Sequence, residues 1–190
     1  QSDNKSGKAR DAVQVFANGG VYTTIALIHY FYPHPSLPVL MAITLSTATS
    51  DTWASDIGLG IPSATYNISN FRLISPGVSG GISITGTLGG LAGALSIALL
   101  YYYIINQNLL HTIYITAAGF TGMITDSLLG AKLQAKYYQP QTGHWSDTPN
   151  PHYQHQSGFS SITNDHINLI SQIILCTVAT LPLLIAKSLE

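Results

Sequence analysis

From Val78 to Thr125 the chain carries no Lys, Arg, Asp or Glu, and the runs 37–50 and 167–186 are equally uncharged. A run of that length either lies in lipid or fills a very large core. The hydrocarbon layer of a bilayer is about 30 Å thick and takes about 20 helical residues to cross. A segment in lipid must satisfy its own backbone, which selects helix. The stretch 78–125, interrupted only by Asn106-Gln107-Asn108, holds two such helices and a tight turn. Charged residues make up 8% of the 190 against 46% hydrophobic, where a soluble domain carries roughly a quarter. The pattern predicts one integral membrane domain over 1–190, an all-α polytopic transmembrane bundle. Its five spanning helices are expected at about 12–32, 37–57, 80–105, 109–131 and 166–187. Turns at Pro33-His34-Pro35 and Asn106-Gln107-Asn108 make the first four into two hairpins. Their matched lengths suggest a duplicated two-helix unit followed by one helix.

The few charges are one-sided. Asp3, Lys5, Lys8, Arg10 and Asp11 precede the first helix; Asp51, Asp56 and Arg72 cluster at the 57–79 connection; Asp126, Lys132, Lys136, Asp147 and Asp165 cluster at 132–165. Only Lys187 and Glu190 fall at the opposite end. Cations in short loops mark the cytoplasmic side, so the N-terminus and the loops 57–79 and 132–165 are expected there. In a bacterium this would be the inner, cytoplasmic membrane, with the polar site on its cytosolic side. The single Cys176 gives no disulfide framework and no Cys-based metal site. A net charge of −1 with no basic run gives no case for nucleic acid. A homo-oligomer is compatible with the sequence.

Ionisable groups at membrane depth are costly and mark functional sites by default. Asp51 lies about two turns inside the end of the second helix, with Ser55 four residues on and on the same face. Asp56 is rotated from Asp51 by roughly 140° and reads equally well as an interfacial cap beside Trp53. Asp126 holds the corresponding place in the fourth helix, four residues before Gly130. Asn164 and Asp165 open the fifth helix and read first as N-caps; Asn168, one turn deeper, does not. The turn Ser75-Pro76-Gly77-Val78-Ser79-Gly80-Gly81-Ile82-Ser83 can present converging amides to an anion at a helix start. It lacks the Gly-Lys-Ser/Thr ending of a P-loop, and a tight re-entry turn explains it as well. Gly86, Gly89, Gly90 and Gly93 follow at the spacing of close helix packing. Asn18-Gly19-Gly20 should weaken the first helix two turns in, as in broken helices that line cavities. Tyr101-Tyr102-Tyr103 reads as an interfacial aromatic belt. His144, His152 and His155 lack a convincing further metal ligand, so 132–165 reads as a polar loop.

Each of these motifs is weak alone, and the order is what is specific. Lys5-Ser6-Gly7-Lys8-Ala9-Arg10-Asp11-Ala12, then Asn18-Gly19-Gly20, Asp51-Thr52-Trp53-Ala54-Ser55-Asp56, Ser75 to Ser83, Asp126-Ser127-Leu128-Leu129-Gly130-Ala131-Lys132 and Asn164-Asp165-His166-Ile167-Asn168 follow one another along the chain. The succession resembles the integral membrane family that includes plant and cyanobacterial phytyl-phosphate kinase and animal transmembrane protein 19, long described as a domain of unknown function. Two departures stand out. Similar members carry further hydrophobic segments upstream, which fits a truncated chain here, and the family pattern has Glu at the place of Asp56.

The resemblance implies phosphoryl transfer from a nucleoside triphosphate, with CTP as donor, to a prenyl monophosphate such as phytyl phosphate. It implies Mg²⁺ as cofactor and the bilayer and a lipid phosphate as partners. On that reading Asp51 and Asp126 hold the metal, with Asp56 and Asp165 as secondary candidates. Lys8, Arg10 and Lys132 neutralise phosphate charge, and Gly77, Ser79, Gly80, Gly81 and Ser83 offer donors to the triphosphate. Asn18, Ser55, Asn164 and Asn168 orient the ligands. Two other functions compete. A membrane cytidylyltransferase would make a CDP-lipid, but Ser83-Ile84-Thr85 stands where an Asp-Arg pair is expected. A transporter of small solutes or ions would use the same intramembrane carboxylates but needs polar residues through to the far face.

Overall fold

The computed structural model describes residues 12–188. Five long helices dominate: α1 (Ala12–Phe31), α2 (Ser36–Gly60), α3 (Ile84–Ile104), α4 (Leu109–Leu133) and α5 (Asn164–Ser188). Short strands fill two connections. β1 (Tyr66–Asn67) pairs antiparallel with β2 (Gly81–Ile82). β3 (Lys136–Gln139), β4 (His144–Ser146) and β5 (Gln154–Ser157) form an antiparallel sheet in the order β4-β3-β5. The segment read as a polar loop from its Tyr, Gln, Pro and His content is therefore partly a sheet.

Helix α2 is central and touches each of the other four helices. Small residues make that crowding feasible. Virtual Cβ atoms on Gly86, Gly89, Gly90 and Gly93 of α3 would lie within about 3 Å of α2 atoms such as Ala54 O, Trp53 O and Thr49 O. On the other flank, a Cβ on Gly119 or Gly122 of α4 would collide with Ser46 or Thr47. The Ser50 hydroxyl donates to Gly90 O at 2.8 Å, and Ser46 Oγ lies 3.2 Å from Ala94 O and 3.3 Å from Ile115 O. Interhelical contact by glycine with hydroxyl-to-carbonyl bonds is how helices pack where lipid removes the usual hydrophobic incentive.

Helix α3 shows the same logic in its two faces. Gly86, Gly89, Gly90, Gly93, Ala94 and Ala98 are buried, while Leu88, Leu91, Leu95 and Leu99 are 40–61% exposed. Large apolar residues outside and glycine inside invert the pattern of a water-soluble helix. Among the described residues two helices, Ile84–Ile104 and the Asn164–Leu183 part of α5, are each long and apolar enough by themselves to cross a membrane. Interior polar residues lie on α2 and α4, with Ser46, Thr47, Ser50 and Asp126, and also on α5, with Asn168, Ser171 and Gln172.

Three local expectations differ from the structure. Helix α1 runs unbroken through Asn18-Gly19-Gly20: Asn18 Nδ2 bonds Gln14 O, and the Thr23 and Thr24 hydroxyls bond the Gly19 and Gly20 carbonyls, each at 2.9 Å. The glycine-rich turn belongs to a β-ribbon before α3 begins at Ile84, with Ser83 as its N-cap accepting from Gly86 N at 3.1 Å. Of the three tyrosines placed at an interface, Tyr101 is buried, edge-on to His111 with ring centroids 6.1 Å apart.

Away from the charged ends the interior is mainly apolar, with Thr112 and the ring nitrogens His29 Nδ1 and His111 Nδ1 also buried there. Ile25, Val39, Leu40, Ile43, Ala98, Tyr101, Ile115, Ala118, Leu175 and Ala179 form one buried cluster. Polar side chains are gathered at the other end, where the functional candidates lie.

Candidate functional site

A small cleft between α1, α2, α4 and α5 is lined by Asn18, Thr47, Ala48, Asp51, Asp126, Asn168, Ser171 and Gln172. Its open volume is about 10 Å³, which is room for one water or one ion. Helical rise puts Asp51 about 14 Å inside the Gly60 end of α2, Asp126 about 10 Å inside the Leu133 end of α4, and Gln172 about 12 Å inside the Asn164 end of α5. Three helices thus deliver polar residues to a similar depth, and Asn18 of α1 meets them in the same cleft.

Asp126 is 8% exposed and accepts from the Ser171 hydroxyl at 3.1 Å. The Asn168 carboxamide has two orientations. In one, Nδ2 donates to Asn18 Oδ1 at 3.3 Å. Turned over, Nδ2 donates to Asp126 Oδ2 at 2.9 Å while Oδ1 accepts from Asn164 Nδ2 at 3.2 Å. The second satisfies both ends of the amide and adds a donor to the carboxylate. Gln172 Nε2 donates to Asn18 O at 3.0 Å, tying α5 to α1. Its Oε1 is buried with no partner, and a buried acceptor left unpaired costs about 1–3 kcal/mol.

The sequence-based candidates divide by place. Asp51, Asp126, Asn18 and Asn168 line the cleft, and Asn164 reaches it through Asn168. Ser55 and Asp56 are exposed farther along α2, Lys132 is exposed at the end of α4, and Asp165 sits in the first turn of α5. None of these four lines the cleft. Lys8 and Arg10 lie outside the described residues. Thr47, Ser171 and Gln172 were missed by the sequence reading. The signal was spacing: Thr47 is four residues before Asp51, and Gln172 four after Asn168, each one helical turn along the same face.

The glycine turn lies one turn further along α4. Gly77 and Gly80 have φ of +86° and +79°, which L side chains rarely adopt. A Cβ on Gly80 would strike Ala131, and one on Gly130 would strike Ser79 Oγ. Ser79 N donates to both carboxylate oxygens of Asp147, at 3.2 and 3.0 Å. The turn therefore does present an amide to an anion, and in the folded chain that anion is Asp147. Gly77 is exposed, Gly81 lies in β2, and Ser83 is committed to capping α3.

Lys136 closes the structure below that turn. It is 6% exposed, and its Nζ donates to Gly130 O at 2.9 Å and Ala131 O at 2.7 Å, a cationic cap on the negative end of α4. Burial pushes its ammonium below the ordinary lysine range, while the Asp147 carboxylate pulls it back up. The histidines of the sheet have neighbours in the fold: His144 Nδ1 bonds Tyr153 Oη at 2.9 Å, and His155 stacks edge-on against Tyr137. Among the described residues no group of three or more His, Cys, Asp and Glu is arranged to hold a metal. The cleft instead offers two carboxylates with hydroxyl and carboxamide oxygens, a donor set that fits a hard cation such as Mg²⁺ and leaves positions for substrate oxygens.

The model of the integral membrane protein family DUF92 matches residues 1–176. The chain belongs to this family. It is 28% identical over 165 residues to an uncharacterized membrane protein of Methanocaldococcus jannaschii, covering 87% of this chain and 59% of the relative. An uncharacterized membrane protein of Synechocystis is 30% identical over 139 residues, 72% of this chain and 54% of the relative. Protein PGR of Arabidopsis thaliana is 22% identical over 192 aligned residues, 88% of this chain and 67% of the relative. The chain thus spans a little over half the length of the first two relatives. No solved structure matches it. Family membership establishes an integral membrane protein, with the polar cleft inside it.

Proposed function

We propose that the chain is the catalytic part of a membrane-embedded, Mg²⁺-dependent kinase that phosphorylates a prenyl monophosphate to the diphosphate with CTP. The observation that carries this reading is that Asp51 and Asp126, from α2 and α4, line one cleft with Asn18 and Asn168 at a single depth near the charged ends of the helices. A lipid phosphate keeps its head group at that depth while its chain lies among apolar side chains. An apolar groove of about 300 Å³ where the β1–β2 ribbon meets α3, lined by Tyr66, Phe71, Ile82, Ile84 and Leu88, gives such a chain a place at the same end of the bundle.

The chemistry asks little of the protein beyond placement. An oxygen of the acceptor monophosphate attacks the γ-phosphorus of the nucleotide; that P–O bond forms as the bond to the bridging oxygen breaks, and CDP departs with the electron pair. The acceptor is already an anion at neutral pH, so no strong base is needed. Phosphoryl transfer rests on positioning and charge neutralisation. Asp51 and Asp126 would hold Mg²⁺, which when bound neutralises phosphate charge. Asn18 and Asn168 would offer amides to phosphate oxygens, and Lys132, exposed beyond the cleft, would meet the nucleotide.

The buried cluster of the far half is apolar. His29, His111 and Thr112 place polar atoms in that half, but residues 22–46 and 98–117 carry no Asp, Glu, Lys or Arg, which supports an enzyme over a carboxylate-lined permeation path. The deciding assay follows labelled CTP and a panel of prenyl monophosphates with the purified protein. Asp51→Asn and Asp126→Asn should each abolish diphosphate formation while the protein stays folded in detergent. Release of pyrophosphate in place of CDP would replace this reading with cytidylyl transfer, and normal turnover by both variants would remove the carboxylates from the mechanism.

A further inference from the structure

Gln172 is the residue in the cleft whose bonding is incomplete. It is 2% exposed, it comes from the same face of α5 as Asn164 and Asn168, and it lines the cleft with both carboxylates. Its carboxamide cannot be turned over without cost, because Nε2 is fixed by its 3.0 Å bond to Asn18 O. Oε1 is therefore the end left over, and it has no partner. The donors in the lining are engaged elsewhere, Asn18 Nδ2 with Gln14 O, Thr47 Oγ1 with Ile43 O, and Ser171 Oγ and the turned-over Asn168 Nδ2 with Asp126. The lining's other polar groups are the Asp51 and Asp126 carboxylates. An uncharged acceptor placed with two carboxylates around a space the size of one ion is matched by a cation, which satisfies all three oxygens together. Carboxamide oxygens are ordinary ligands of hard cations.

We propose that Gln172 Oε1 is a third protein ligand, with Asp51 and Asp126, of a hard divalent cation bound in the cleft between α1, α2, α4 and α5. This rests on reading the two carboxylates as a cation pair, and it stands apart from the phosphoryl-transfer chemistry. The site is present before nucleotide arrives, so the cation binds the protein alone. Gln172 also links the cation to α1, since the same carboxamide that faces the ion holds the Asn18 carbonyl.

The test uses Mn²⁺ as the probe, with binding to the purified full chain in detergent measured by the loss of the free-ion paramagnetic resonance signal, with no nucleotide present. The wild type should bind Mn²⁺, Gln172→Leu should weaken binding by at least about tenfold, and Gln172→Glu should retain or tighten it. Thermal melts supply a second reading that does not depend on Gln172→Leu folding. Without cation, Gln172→Glu sets a third carboxylate against two others, so Mn²⁺ should raise its melting temperature more than that of the wild type. No Mn²⁺ binding by the wild type, unchanged binding by Gln172→Leu, or equal melting shifts for Gln172→Glu and wild type would each overturn the assignment. In the first case a water fills the space. Gln172-dependent Mn²⁺ binding without CDP formation from CTP would keep the ligand and remove the kinase reading.

Discussion

The Ser171 hydroxyl donates to an Asp126 carboxylate oxygen at 3.1 Å, so the fifth helix holds an acid of the fourth in the cleft. Ser171 also donates toward Asn168 O at 3.0 Å, and a single hydroxyl proton serves one acceptor at a time. The carboxylate is the stronger one. Ser171→Ala removes a hydrogen bond to a charged group in a buried setting, expected to cost about 1.5–3 kcal/mol of stability. Asp126 would keep its position through Asn168. The variant should therefore melt earlier in detergent yet retain measurable turnover, unlike Asp126→Asn. Complete loss of activity in a folded Ser171→Ala protein would mean that Ser171 itself touches substrate.

Glycine packing makes a prediction about stability alone. A Cβ at Gly119 meets not only Ser46 Oγ but also Ser46 Cβ at 2.6 Å and its backbone carbon at 3.0 Å, on the helix that supports Asp51. Gly119→Ala should destabilise the bundle by about 1–3 kcal/mol, the usual range for overpacking. Gly19 is the matched control, since nothing lies within 4 Å of its added Cβ and it sits in a continuous helix. Gly19→Ala should be neutral or stabilise by about 0.5–1 kcal/mol. Thermal melts of the two variants in one detergent decide the matter, and a larger loss at Gly19 would contradict the packing of α2 against α4.

Much of the helical frame was legible because uncharged length is a local property. The expected 12–32 and 109–131 correspond to Ala12–Phe31 and Leu109–Leu133. The start of α3 was misplaced by four residues because Gly81-Ile82 pairs with Tyr66-Asn67, a partner far off in sequence. Charge placement carried the depth of Asp51 and Asp126 but not that they share a cleft, which depends on how α2 and α4 rotate about Ser46, Thr47, Gly119 and Gly122. The sheet of 136–157 was illegible for a related reason. Its strands are three or four residues long, too short for alternation to register, and polar contacts from Lys136 and Asp147 tie it to α4 and the glycine turn. Those residues look like ordinary loop charges until the fold brings the α4 carbonyls and the Ser79 amide to meet them.

Lys136 sets a pH dependence whose sign follows from its burial. Its folded-state pKa is lowered from the ordinary 10.5, so in the window just below 10.5 the unfolded chain binds more protons than the folded one. Stability contributed by this group therefore rises with pH through that window and is reduced below it. Lys136→Met fills the same space but leaves the Gly130 and Ala131 carbonyls without their donor, an expected loss of about 1–3 kcal/mol near neutral pH. The difference in stability between wild type and Lys136→Met should widen as pH rises from neutrality toward 10, with tyrosine titration common to both proteins. A difference that narrows would mean the ammonium is favoured, not opposed, by its surroundings.

The Asp147 carboxylate takes the amide of Ser79, the donor that a phosphate would need at this turn. If the glycine turn is a triphosphate cradle, the nucleotide must displace Asp147, and the free energy of that displacement is subtracted from binding. Asp147→Ala would then lower KM for CTP several-fold, since tenfold corresponds to about 1.4 kcal/mol and a charged hydrogen bond contributes about that much or more. Its kcat should hold, because the carboxylates of the cleft are untouched. If the turn is only a structural joint, Asp147→Ala unpins the sheet from the bundle without helping nucleotide. Stability would then fall and KM would stay level or rise. Measuring KM and melting temperature on the same preparations separates the two roles: a lower KM beside a lower melting temperature is the signature of a carboxylate that both braces the turn and guards it, whereas an unchanged KM assigns the glycines to packing against Gly130 and Ala131 alone.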